Sequence, residues 1–139
     1  MLFQKEIKIS STPETIWQFL VVPKKIVTWY DIIEKCEYLG TKSSGKGTIF
    51  YVEKKLSETV IDMKLEAVTW EENKRLSLEL ISGVSSDNYK LCYDLQRIAT
   101  GVLFHYTEIS DITYEDERVS NMLLKLKNLC ENVWSNIVL

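Results

Sequence analysis

A long amphipathic segment at the C-terminal end constrains the fold of this chain more than any other feature of its sequence. Residues 115–138 contain no proline or glycine, and apolar residues recur there at steps of three and four, as on one face of a helix. This apolar face is formed by Val119, Met122, Leu123, Leu126, Leu129, Cys130, Val133, Trp134 and Ile137. We therefore predict one long helix, with Leu124 as the exception on its polar face.

The part of the sequence before this helix predicts an antiparallel sheet. About seven segments alternate apolar and polar residues, as strands with one covered and one solvated face do. They lie within residues 2–10, 33–39, 48–54, 60–70, 76–80, 89–95 and 102–109. Short polar or glycine-containing turns separate most of them, so consecutive strands should pair as hairpins. In the last strand both alternating sets contain apolar residues, so its register stays open.

Two short helices are predicted between the first and second strands. Ser11 and Glu14 have the spacing of a capping box, and Thr12 followed by Pro13 at the first helical position is an equally good helix start. Pro23 interrupts this helix, and a second short helix should follow it. The predicted fold class is therefore α+β, with residues 1–139 forming a single domain.

The widths of the predicted elements imply a space between the sheet and the long helix. Seven strands at about 4.8 Å spacing span roughly 29 Å, whereas a helix is only about 10 Å wide. Even a twisted and curled sheet would tend to leave a gap, which must either be filled by large side chains or hold a ligand. Several tyrosines at candidate inward positions predict a partly polar lining, because a buried hydroxyl requires a partner.

Composition and charge exclude several classes of function. The net charge of −3, without a cluster of basic residues, argues against a nucleic-acid partner. One histidine and three widely spaced cysteines do not make a zinc site, so we expect no metal and no cofactor. A charged start and the lack of a long apolar run predict a cytoplasmic protein without an integral membrane segment.

The order of the elements and several local motifs resemble the START/Bet v 1-like superfamily (SRPBCC), in particular its bacterial polyketide cyclase/dehydrase and lipid-transport branch. The motifs are residues 9–20, the stretch from Pro23 to Trp29, the Gly45-Lys46-Gly47-Thr48 turn and the stretch from Gly101 to Glu108. The resemblance covers essentially the whole chain. It implies a helix-grip fold, in which a curved sheet wraps around the C-terminal helix and encloses a hydrophobic pocket.

The resemblance and the predicted gap together favour binding or transport of an apolar or amphipathic small molecule by a monomer or weak homodimer. The candidate ligand-binding residues are Trp29, Tyr51, Met63, Leu65, Leu78, Tyr89, Leu91, Tyr93, Phe104, Tyr106, Met122 and Leu126. Trp29 is equally well interpreted as a gate to the pocket or as a packing anchor.

Two alternative functions stay open from the sequence. The first is a polyketide cyclase- or dehydratase-like enzyme in the same cavity, with His105 and Glu108 as the candidate acid/base residues. His105 could equally be a histidine of the sheet surface, and Glu108 a solvated strand end. The second alternative is a protein-interaction adaptor whose interior is filled by its own side chains, with Leu124 and an unpaired edge strand as contact points.

Overall fold

A computed structural model describes residues 2–56, 58–83, 89–110 and 116–138, with side chains in these ranges except at residues 56, 82, 83, 116 and 133–138. The elements are β1 (Leu2–Ile9), α1 (Pro13–Val21), α2 (Pro23–Trp29), β2 (Ile33–Leu39), β3 (Ile49–Leu56), β4 (Thr59–Glu71), β5 (Arg75–Gly83), β6 (Lys90–Ile98), β7 (Gly101–Ile109) and α3 (Asp116–Val138). This order confirms the predicted α+β helix-grip fold. Glu115 and the side chains of Val133, Trp134 and Ile137, which the sequence assigns to the long helix, lie outside the described residues.

The strands form one antiparallel sheet in the order β1-β7-β6-β5-β4-β3-β2. All consecutive strands from β2 to β7 pair as hairpins, as the short connections predict. β1 joins the far edge beside β7, so the N-terminal strand closes the sheet next to the strand that precedes α3. The inner face of this sheet packs with the three helices around one hydrophobic core.

Thr12 caps the first helix. Its backbone is extended, and its side-chain oxygen accepts a hydrogen bond from the backbone N–H of Thr15 at 3.1 Å. Pro13 occupies the start of α1, where its missing N–H costs nothing. The structure thus selects Thr12 over Ser11 from the two predicted caps. α2 likewise starts with a proline, Pro23.

Gly101 allows the β6–β7 turn to pack closely on the end of β1. Its φ of +144° is rarely adopted by other residues, and a Cβ at this position would lie 2.3 Å from the carbonyl oxygen of Ile9. The Ile98–Gly101 pair closes a hairpin with a two-residue turn, which fixes the register of β7 against β6. This register turns Val102, Phe104, Tyr106 and Glu108 toward the interior.

Candidate functional site

Two charged residues occupy inward-facing positions of the sheet. Side chains of a strand alternate between its two faces, and Lys54 of β3 is in phase with the buried Val52. Glu108 of β7 is in phase with the buried Tyr106 in the same way. Lys54 and Glu108 are each only 1% exposed, so folding removes both ionisable groups from water.

Three tyrosine hydroxyls connect the lysine with the glutamate, and we call Lys54, Tyr30, Tyr89, Tyr106 and Glu108 the Lys54–Glu108 cluster. Nζ of Lys54 donates to the hydroxyl of Tyr89 at 2.6 Å. The hydroxyl of Tyr30 lies 3.2 Å from those of both Tyr89 and Tyr106. Tyr30 donates to Oε1 of Glu108 at 3.4 Å, and Tyr106 donates to the same oxygen. A continuous path of hydrogen-bonded groups therefore joins Lys54 to Glu108.

Aromatic rings flank the ammonium group of Lys54. Its Nζ lies 4.1 Å from the ring centroid of Tyr89 and 5.3 Å from that of Tyr30, within the range of cation–π attraction. Burial lowers the pKa of Lys54 from 10.5 to about 8, against the opposing effect of the negative charge of Glu108. About a tenth of the Lys54 side chains is therefore neutral at pH 7.

One oxygen of the Glu108 carboxylate is unsatisfied. Oε2 is buried and accepts no hydrogen bond within the part of the chain that the structure describes. Burial raises the pKa of Glu108 above its ordinary value of 4.5, while the charge of Lys54 and hydrogen bonds from Tyr106 and Tyr30 oppose this shift. A buried oxygen without a donor is costly, so a proton or a donor on a bound molecule would be stabilised here.

The tyrosines of the interior stay protonated. Burial raises the pKa of Tyr30, Tyr93 and Tyr106 well above 10, and the negative charge of Glu108 adds to the shift. Their hydroxyls therefore keep one proton each to donate across the physiological pH range.

Large side chains nearly fill the space around the cluster. Two cavities of about 20 Å³ and about 10 Å³ adjoin it, each with room for about one water molecule. Tyr30 lines both. Of the two outcomes that the sequence left open for the gap, the side chains that the structure describes favour filling. The larger cavity is bounded mainly by apolar groups, among them Leu20, Ile26, Phe50, Leu65, Leu78 and Leu91.

A much larger concave surface lies on the outer face of the sheet. This groove of about 1000 Å³ is open to solvent, and its walls include Arg75, Asp94 and His105. Arg75 and Asp94 already form an exposed ion pair at 2.5 Å. Solvated charges that neutralise each other do not make a selective site, so the buried cluster is the better candidate.

All but one of the predicted ligand-binding residues are buried. The buried ones are Trp29, Met63, Leu65, Leu78, Tyr89, Leu91, Tyr93, Phe104, Tyr106, Met122 and Leu126. The prediction that Tyr51 faces inward is wrong, because Tyr51 alternates with Val52 and lies on the outer face. There its hydroxyl donates to Glu53 at 2.7 Å, and Nζ of Lys35 lies 5.8 Å from its ring centroid. A ligand-binding role for the buried residues stays a prediction.

The two candidate acid/base residues lie on opposite faces of the sheet. His105 is on the outer face, where its Nδ1 lies 3.1 Å from a carboxylate oxygen of Glu6, so it has no access to the interior. The interpretation of His105 as a surface histidine is therefore the one that fits. The interpretation of Glu108 as a solvated strand end is wrong, because Glu108 is buried.

Lys54 and Tyr30 are the site residues that sequence reasoning missed. Lys54 is in phase with two apolar inward residues of its strand, which was a usable signal for an inward-facing charge. Tyr30 lies in the short connection after α2, where no periodicity indicates the direction of a side chain.

Trp29 positions the segment that carries Tyr30. It is fully buried, its indole N–H donates to the carbonyl oxygen of Phe19 at 2.7 Å, and its ring centroid lies 5.4 Å from that of Tyr30 and 6.0 Å from that of Tyr93. These contacts are those of a packing anchor that ties α2 to α1.

Other types of site find little support in the described ranges. No group of three or more histidine, cysteine, aspartate or glutamate side chains is arranged there to hold a metal ion. Cys36, Cys92 and Cys130 are free thiols, and burial raises the pKa of Cys36 and Cys130 to about 12, which keeps both protonated. None of the helices in this part of the chain combines the length and apolarity needed to cross a bilayer.

Comparisons with known proteins identify the fold. No family model matches the sequence, and no curated protein matches it significantly. Among solved structures, a START superfamily protein from Mycobacterium smegmatis superposes with a TM-score of 0.77 at 11% identity, over 95% of this chain and 98% of the other. The Aha1 dimer from Colwellia psychrerythraea gives a TM-score of 0.68 at 16% identity, over 94% and 96% of the two chains. A major latex-like protein from Panax ginseng gives 0.67 at 10% identity, over 92% and 93%. By its structure, the chain therefore has the helix-grip fold of the START/Bet v 1-like superfamily.

Proposed function

We propose that this protein binds a small amphipathic molecule between the sheet and α3, with an uncharged polar group of the molecule at the Lys54–Glu108 cluster. The observation that supports this proposal is the burial of a lysine and a glutamate in an interior formed mainly by apolar and aromatic side chains. A core required only for stability would be at least as stable with apolar residues at both positions. Buried ionisable groups with shifted pKa values occur preferentially at functional sites.

The charges of the cluster favour a neutral polar group. The Lys54 ammonium and the Glu108 carboxylate balance each other, and a proton moved from Lys54 to Glu108 leaves both neutral, so the pair carries no net charge in either state. A carboxylate on the ligand would be attracted by Lys54 but repelled by Glu108. A hydroxyl can instead donate to the unsatisfied Oε2 of Glu108 and accept from Lys54.

Binding requires side chains to move, because the two cavities measure only about 20 and 10 Å³. Displacement of Tyr30 would join them, since this residue lines both. The next residue, Asp31, forms an exposed salt bridge of 3.0 Å with Lys125 of α3. Such a pair contributes roughly 0.2–1 kcal/mol, so this salt bridge adds little to the cost of moving the segment.

Titration of the ¹⁵N-labelled protein with octanol and with octanoate, followed by NMR at pH 7, tests the proposal. We expect octanol to bind more tightly than octanoate and to shift the amide signals of residues around the cluster. Lys54→Met and Glu108→Gln should each weaken octanol binding by about tenfold, the effect of one lost hydrogen bond. Lys55→Met is the matched control, because Lys55 is the exposed neighbour on the same strand. If hexanol, octanol and decanol all leave the interior signals unchanged, the proposal is wrong.

The small size of the cavities favours a second candidate function, a protein-interaction adaptor with a self-filled interior. Leu124 is 48% exposed on the polar face of α3, and the similar Aha1 structure is that of a dimer. In this case the protein should self-associate in sedimentation velocity experiments, and Leu124→Lys should abolish the association. A monomer at all concentrations that also binds octanol would leave only the first candidate.

A further inference from the structure

We propose that Lys54 forms a reversible imine with the carbonyl group of an amphipathic aldehyde or ketone. This inference rests on the proposed function, because the carbonyl compound must reach the interior. It adds covalent capture to binding, and it assigns the ligand class as carbonyl compounds.

The position of Lys54 suits an amine that reacts with an apolar carbonyl compound. Its side chain lines the larger cavity together with Leu65, Leu78 and Leu91, so an alkyl chain packed on these residues would bring its carbonyl end to Nζ. Lys54 is the one lysine in the described part of the chain that is buried, and its neighbour Lys55 is exposed.

The interior also supplies the neutral amine that imine formation requires. With a pKa of about 8, about a tenth of Lys54 is unprotonated at pH 7, compared with about one in three thousand for an ordinary lysine. Desolvation in an apolar pocket is an established way to activate a lysine toward carbonyl compounds.

The hydrogen-bonded path from Lys54 to Glu108 provides for the proton transfers. A proton first passes from the Lys54 ammonium through Tyr89 and Tyr30 to Glu108, which leaves a neutral amine and a protonated carboxyl group. The Nζ lone pair then attacks the carbonyl carbon, an N–C bond forms, and the π electrons of the carbonyl move to its oxygen. One proton moves from the nitrogen to this oxygen, which gives a neutral carbinolamine. Protonated Glu108 then donates to the hydroxyl group, water leaves, and the nitrogen lone pair completes the C=N bond.

The products of this reaction suit the site as well as the reactants do. They are a protonated imine on Lys54 and a carboxylate on Glu108, so the interior again holds one positive and one negative charge. Hydrolysis by the reverse steps releases the carbonyl compound unchanged, which makes the capture reversible.

Reduction of the imine tests the inference directly. The wild-type protein is incubated with octanal and sodium cyanoborohydride at pH 7, and the octyl-lysine positions are determined by peptide mass spectrometry. We expect Lys54 to be alkylated at least about tenfold faster than Lys55 and the other surface lysines. Lys54→Met should lose only this fast labelling, whereas Lys55→Met should retain it. Peptide mapping of the wild type gives the answer even if Lys54→Met does not fold.

Parallel titration with octanol separates the two proposals. If octanol binds in the interior and octanal labels Lys54 no faster than Lys55, covalent capture is wrong and the binding function stands. If octanol does not bind and labelling is uniform, both proposals fall. Fast labelling of Lys54 that excess octanol suppresses supports both.

Discussion

Nζ of Lys54 lies 2.6 Å from the hydroxyl oxygen of Tyr89 and 4.1 Å from the centroid of the same ring. One tyrosine therefore serves the buried ammonium both as a hydrogen-bond acceptor and as a π surface. The hydroxyl of Tyr30 continues the hydrogen-bonded path from Tyr89 to Glu108. This path connects the buried charge of β3 with the buried charge of β7.

Lys54 should make stability increase with pH in the alkaline range. Its pKa is about 8 in the folded protein and 10.5 when exposed, so between these values the unfolded chain binds a proton that the folded protein has lost. The free energy of unfolding should therefore rise over this interval, by about 3 kcal/mol in total. Urea unfolding of the wild type and Lys54→Met at pH 7 to 10 measures this contribution.

Lys54→Met should be less stable than the wild type at pH 7, because it leaves the buried carboxylate of Glu108 without its cationic partner, and it should lack the alkaline rise. Lys55→Met should behave like the wild type. Parallel pH profiles for Lys54→Met and the wild type would contradict the prediction.

Glu108 should make stability decrease as the pH rises above 4.5. Burial raises the pKa of Glu108 in the folded protein, so above pH 4.5 the folded protein retains a proton that the unfolded chain releases. The stabilising contribution is complete below pH 4.5 and is lost as the pH passes through the folded-state pKa. Unfolding of Glu108→Gln and the wild type from pH 4 to 8 should show this loss only in the wild type. Glu66→Gln, at a partly exposed position on the outer face of β4, is the control.

Gly101→Ala should destabilise the protein by about 3 kcal/mol, because the added Cβ would lie 2.3 Å from the backbone oxygen of Ile9. Gly40→Ala is a matched control, since Gly40 also has a positive φ, +79°, but no atom lies within 4 Å of its added Cβ. The control should cost only about 1 kcal/mol. Equal losses of unfolding free energy in the two variants would show that the contact with β1 is unimportant.

Trp29→Phe should cost about 3 kcal/mol, because it leaves a cavity and removes the donor to the carbonyl oxygen of Phe19. Trp70→Phe should cost less, since Trp70 is only partly buried, in an edge-on contact with Trp17. Thermal and urea unfolding of both variants measure the difference. If Trp29→Phe instead keeps the stability of the wild type and bound octanol exchanges faster with free octanol, a gating role is favoured.

The register of the last strand shows the limit of predicting the inward face of a strand from its own alternation. β7 has apolar residues on both alternating sets, so its own sequence does not choose a face. β6 has one clear inward set, and the two-residue turn pairs Tyr93 with Tyr106 and Asp94 with His105. Residues paired across strands share a face, so the neighbouring strand decides that Glu108 is buried and that His105 lies on the outer face.

Tyr51 illustrates the same limit. Aromatic residues are common on both faces of a sheet, so the residue type of Tyr51 does not decide its direction. The alternate set of β3 contains Val52 and Lys54. The tertiary structure buries this set, because Tyr89, Tyr30 and Glu108 together accommodate the charge of Lys54.

The sequence by itself determined the element order, the positions of the two short helices and the amphipathic stripe of α3, because periodicity, prolines and caps act over a few residues. Only the tertiary structure decided that the described side chains nearly fill the space around the cluster and that Tyr30 lines both of the small cavities there. The volume of a gap depends on the curvature of the sheet and on side chains that arrive from distant elements. The polar cluster has the same origin, since its members come from the α2–β2 connection, β3, β7 and the residue before β6.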